Sequence, residues 1–121
     1  MKEKIDFLKS IGADKAPHGD RTLLDHLIGT RDKLKEMGAP EYLQDVGLFH
    51  SVYGTEVFKL TSTDDRETVR KLIGVVAEKL VVLFSSLPSP RVDNILDKYE
   101  GQVKDDLLML HNANEEEQRA K

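Results

Sequence analysis

The sequence predicts an all-α domain, a bundle of about seven helices, on three observations. No segment alternates apolar and polar residues at period two, as a half-buried strand would. Apolar residues recur at helical spacing instead, as Ile5, Phe7, Leu8 and Ile11 do near the start. Glycines and prolines at Gly12, Gly38, Pro40, Gly54, Gly74, Pro88, Pro90 and Gly101 cut the chain into helix-sized pieces.

Residues 2–11 read as the first helix, ended by Gly12, and 13–20 as a loop by their Pro, Gly and Asp content. Asp20 is positioned to cap a second helix over 21–36, with Leu23, Leu24, Leu27, Ile28 and Leu34 on its apolar face and Gly38 closing it. Pro40 opens a third helix running to about Val52. Gly54 breaks it, and 54–62 form an irregular connection. Thr63 and Asp64 start a fourth helix to about Ile73; Ser62, Thr63 and Asp64 with Glu67 resemble a capping box. Residues 75–86 are the most apolar stretch. Val76, Leu80, Leu83 and Phe84 suit a buried helix better than a strand. After Leu87-Pro88-Ser89-Pro90, two helices follow over 91–99 and 102–114, hinged near Gly101; residues 115–121 either extend the last helix or fray.

At 121 residues the chain is expected to form a single domain over 1–121, large enough for a core without staples. There is no cysteine, which excludes disulfides, thiolate metal sites and a cysteine nucleophile, and fits a cytoplasmic protein. The amphipathic start lacks the apolar run of a signal peptide, and no stretch nears the roughly 20 apolar residues of a membrane span. A net charge of −4 disfavours nucleic acid and anionic membrane as partners. The oligomeric state is not legible.

The histidines carry the chemistry. His26 shares a helical face with Leu23, Leu27 and Thr30; His50 shares one with Leu43, Val46 and Gly47. Gly47, lacking a side chain, permits close approach to that helix. His18 precedes His26 in the loop, and His111 lies late in the last helix. Two readings are open. His18, His26 and His50 converge on a transition metal or a polar ligand, or each imidazole is an inward polar group satisfied by a carbonyl or carboxylate. The second is preferred for His18 and His111, and the two stand level for His26 and His50. Ser51 reads as a small polar residue on a packed helix, since His50 points roughly 100° away from it. Tyr53, Thr55 and Glu56 either line a pocket mouth or serve as capping and solvent-facing groups.

The segment HLIGTRDKLKEMGAPEYLQDVGLFHS resembles the first half of an HD domain, where a histidine is followed, one helix later, by His-Asp. RETVRKLIGVVAEKLVVLF is similar to the part after that motif in Rel/SpoT-type nucleotide hydrolases, and LHNANEEEQ to the last HD segment. GLFHSVYGTE, with a histidine pair spaced as His18 and His26, resembles a small HD-like family. The resemblance covers about residues 8–118 and implies an HD-like bundle with a metal-holding pocket. Ser51 and Asn114 stand where the HD pattern has aspartates. The implied ligand set is therefore His18, His26, His50 and Asn114, suited to zinc, iron or copper rather than magnesium; no metal at all is the alternative. The implied function is an atypical enzyme acting on a small polar molecule through a bound metal or through imidazole acid and base, with His50, His26, Tyr53 and Glu56 catalytic. The alternative is an inactive HD-like module binding a small molecule or a partner protein. If phosphate chemistry persists, Glu56 and Glu117 are the carboxylates to examine first.

Overall fold

The computed structural model describes residues 2–53 and 65–119. Among them are seven helices: α1 (Lys2–Ser10), α2 (Leu23–Glu36), α3 (Glu41–Phe49), α4 (Arg66–Ile73), α5 (Val75–Ser85), α6 (Arg91–Lys98) and α7 (Gly101–Arg119). The all-α expectation therefore holds, with one addition. Residues 17–22 form a small antiparallel hairpin, β1 (Pro17–His18) and β2 (Arg21–Thr22), with Pro17 opposite Thr22 and His18 opposite Arg21. A two-residue ladder has no room for an alternating pattern, so periodicity cannot report it.

The hairpin moves the start of α2. Thr22, not Asp20, is the N-cap: its side chain accepts from the Asp25 amide while the Asp25 carboxylate accepts from the Thr22 amide. At the other end Gly38 (φ +84°) takes the left-handed position, and the Ala39 amide reaches back to Leu34 O. Helix α3 is shorter than expected, stopping at Phe49 with His50 as its C-cap. Helix α4 is capped by Asp65, which accepts from the Thr68 amide; Ser62, Thr63 and Asp64 lie outside the described residues. Val76 corrects the expected buried face of α5, being 62% exposed, whereas Leu80 and Phe84 are buried. Helix α7 continues to Arg119, so 115–119 extend the helix and Glu117 is buried.

Helix α3 is central. It packs on α2, α5 and α7, and α2 also packs on α7. Leu43, Val46, Leu48 and Phe49 are fully buried along it, and Phe49 stacks on Phe7 of α1 with ring centroids 6.2 Å apart. Gly47 marks the closest approach of α2 and α3: a Cβ there would lie 2.5 Å from Leu34 Cδ1 and 3.4 Å from Thr30 Cγ2. Gly47→Leu is expected to overpack this crossing and cost about 1–3 kcal/mol, read as a lower denaturation midpoint with an unchanged slope. An unchanged midpoint would place residue 47 on an open face.

Candidate functional site

The α2–α3–α7 crossing brings three of the four histidines together. His26 is 2% exposed and His50 6%. Their ring centroids are 5.4 Å apart, edge to face. His18, delivered by β1, stacks on His26 at 4.3 Å. His18, His26, His50, Ser51 and Asn114 all line one cavity of about 740 Å³. Phe84 to Ser89, Arg91, Glu115 and Gln118 line the same cavity. His111 is not part of it; its Nδ1 is buried without a hydrogen-bond partner.

The two inward imidazoles have different duties. His26 is a structural hub. Its Nδ1 lies 2.7 Å from Glu117 Oε1, and its Nε2 lies 2.7 Å from Asn114 Oδ1. Glu117 is also gripped by Arg21, whose two terminal nitrogens reach its oxygens at 2.9 and 2.7 Å. Burial raises the Glu117 pKa, but the hydrogen bonds from Arg21 and His26 outweigh it and hold the carboxyl below its ordinary value. The α2 backbone is cut to fit: a Cβ on Gly29 would collide with the Glu117 carboxylate.

His50 is bound on one side alone. Its Nδ1 donates to Gly47 O at 2.7 Å, which assigns the proton to Nδ1 and leaves a lone pair on Nε2. Burial pushes its pKa down to about 3, helped by the neighbouring His26 and partly opposed by the Gly47 carbonyl. His50 is therefore a neutral acceptor on the cavity wall. Ser51 beside it is 3% exposed, and its Oγ is buried with no hydrogen-bond partner. An orphaned buried hydroxyl of this kind costs roughly 1–3 kcal/mol.

Tyr53 does not join the cavity. Its hydroxyl donates to Glu78 Oε2 at 2.7 Å, in a cluster where Arg66 also binds Glu78 at 2.8 and 3.1 Å. Burial and the Glu78 contact push the Tyr53 phenol pKa far up, which suits a structural donor and not an acid near neutrality. Thr55 and Glu56 lie outside the described residues.

The expected metal set can be tested against its donors. Both ring nitrogens of His26 face oxygens at hydrogen-bond distance, and Asn114 Oδ1 accepts from Gln118 at 3.3 Å as well as meeting His26. Glu117 is neutralised by Arg21. Among the described residues no three His, Asp or Glu side chains are disposed to hold one ion. Of the nitrogens of His26 and His50 only His50 Nε2 is left without a partner, and with His18 that makes at most two imidazoles, short of the three-ligand set of a catalytic metal site. The described residues do not fit a divalent cation.

The family model for Domain of unknown function (DUF6817) matches residues 7–89. The chain belongs to that family. The matched span holds His18, His26, His50 and Ser51, while Arg91, Asn114 and Glu117 follow it. No curated protein and no solved structure matches the chain. Among the described residues, no helix is long and apolar enough to cross a membrane.

Sequence reasoning missed Arg21 and Arg91, since a lone arginine is by default a solvated charge. Glu117 was legible in part. Leu107, Leu110, Asn114 and Glu117 recur at helical spacing on one buried face, which separates Glu117 from the neighbouring Glu115 and Glu116.

Proposed function

We propose that the domain is a binding module for a small polar molecule, seated in the histidine-lined cavity and hydrogen-bonded to His50 and Ser51. The observation that carries this is His50: its proton is spent on Gly47, and its other nitrogen presents a neutral lone pair at a cavity wall. Ser51 supports it, because a bound molecule satisfies a hydroxyl that the protein leaves unpaired. The cavity volume lies within the range of small-molecule sites. The resemblance to HD domains adds support, since His26, His50-Ser51 and Asn114, the positions that carry it, line this one cavity.

Binding is preferred to catalysis on physical grounds. A general base works best with a pKa near the operating pH, and a value of about 3 is several units away. His26, the other candidate, has both ring nitrogens committed to Glu117 and Asn114.

Thermal melting against a library of small polar molecules tests the reading. The expected result is a class of ligands that raises the melting temperature of the native chain but not of Ser51→Ala or His50→Phe. Ser51→Ala without ligand is expected to melt at the same temperature or slightly higher, since it removes an orphaned group. Equal protection of both variants, or no stabilising molecule at millimolar concentration, would overturn the assignment.

A further inference from the structure

Arg91 opens α6 and lines the same cavity. Its guanidinium lies over the Phe84 ring, 4.3 Å from the centroid, and Phe84 in turn meets His50 edge to face at 5.8 Å. Stacking occupies the face of a guanidinium and leaves its in-plane N–H donors for a planar acceptor. Those donors are not claimed by the protein. Arg91 Nε is buried without a hydrogen-bond partner. Glu115 attracts the guanidinium through space without hydrogen-bonding to it. A cation held this way, half-buried and unpaired, costs free energy that an anionic ligand returns.

The charge count sets the class of anion. Among the described residues, Arg91 is the only lysine or arginine on the cavity wall, and Glu115 is the only carboxylate. His50 contributes no positive charge near neutrality, and His26 on the same wall has the Glu117 carboxylate against its Nδ1, which balances any charge it carries. One guanidinium facing one carboxylate suits a monoanion and disfavours a dianion. Between Arg91 and His50 lies the apolar ring of Phe84, and Leu87 and Pro88 line the cavity together with Ser85, Ser86 and Ser89.

Resting on the cavity assignment above, we propose that the ligand is a monocarboxylic acid with an apolar body: its carboxylate pairs with Arg91, the body lies along Phe84, and a hydrogen-bond donor at the far end reaches His50.

The test uses 4-hydroxybenzoate, its neutral amide 4-hydroxybenzamide, and inorganic phosphate. Each is titrated into the full chain, with affinity read by calorimetry and the His50 ring followed by NMR. The acid is expected to bind at least tenfold more tightly than the amide. Arg91→Gln is expected to remove that preference, lowering acid affinity far more than amide affinity, and Arg91→Lys, which keeps the charge, to retain part of it. Equal binding of acid and amide to the native chain, or acid affinity unchanged in Arg91→Gln, overturns the carboxylate and leaves the cavity assignment standing. Phosphate binding more tightly than the acid also overturns it. If neither aromatic probe perturbs the His50 ring, the cavity assignment falls with it.

Discussion

Glu117→Ala is expected to destabilise the domain by about 2–4 kcal/mol, short of the full effect of breaking a wholly buried ion pair because the Arg21 side chain is 28% exposed. The Glu117 side chain is 9% exposed and accepts from Arg21 on both oxygens, and from His26 on one of them. Its loss strands a guanidinium whose Nε is already unpaired, and a ring nitrogen in the core. The damage spreads because the cluster ties β2, α2 and α7 together. Glu117→Gln keeps the shape and one acceptor oxygen, so it is expected to cost less. Chemical denaturation of the two variants is the check. A loss under about 1 kcal/mol for Glu117→Ala, the range of exposed pairs, would mean that solvent already screens this cluster.

Stability is expected to fall on acidification from about pH 6.5, before most carboxylates titrate. His50 has a folded pKa of about 3, below its ordinary value. Between those two pH values the unfolded chain takes up a proton at His50 that the folded chain refuses. Stability rises with pH wherever the unfolded state binds more protons, so this contribution is complete above about pH 6.5 and drains away towards pH 3. The slope is about 1.4 kcal/mol per pH unit in that window. Charges that face His50 act in the same direction, since His26, Arg91 and His18 all disfavour a second positive group there. Glu117, held low by Arg21 and His26, adds its own loss only below its ordinary value near 4.5. The difference in unfolding free energy between the native chain and His50→Gln isolates the effect, and it is expected to shrink steadily from pH 6.5 to 5. A constant difference would mean that His50 titrates normally in the folded state.

How much of this was legible follows from which signals are local. Gly12, Gly38, Gly74 and Gly101 all have positive φ, and each marks a helix boundary that the sequence announced. The faces of α2 and α3 were legible too, because Leu23, Leu27, Leu43 and Val46 repeat at the helical period and carry His26 and His50 inward with them. The hairpin was not, since its strands are two residues long and its Pro17 and Gly19 read as loop. Tyr53 went astray because its partner Glu78 lies 25 residues on, and nothing local shows which cluster a tyrosine at a helix end will join. The division of labour between the two histidines was invisible for the same reason: Glu117 stands 91 residues from His26, whereas Gly47 is one turn from His50. Arg91 carried no signal at all, since its significance lies in what it fails to pair with.

The central claim is that His50 is neutral, with its proton on Nδ1 and a bare Nε2 at the cavity. Long-range proton–nitrogen correlation spectra of the imidazole rings, recorded from pH 7 down to pH 4.5, test it most directly. The expected spectrum shows one ring fixed as the Nδ1–H tautomer across the whole range, assigned to His50 by its loss in His50→Gln. A His50 ring that is doubly protonated at pH 6, or that carries its proton on Nε2, would contradict the claim and remove the acceptor on which the binding site is built.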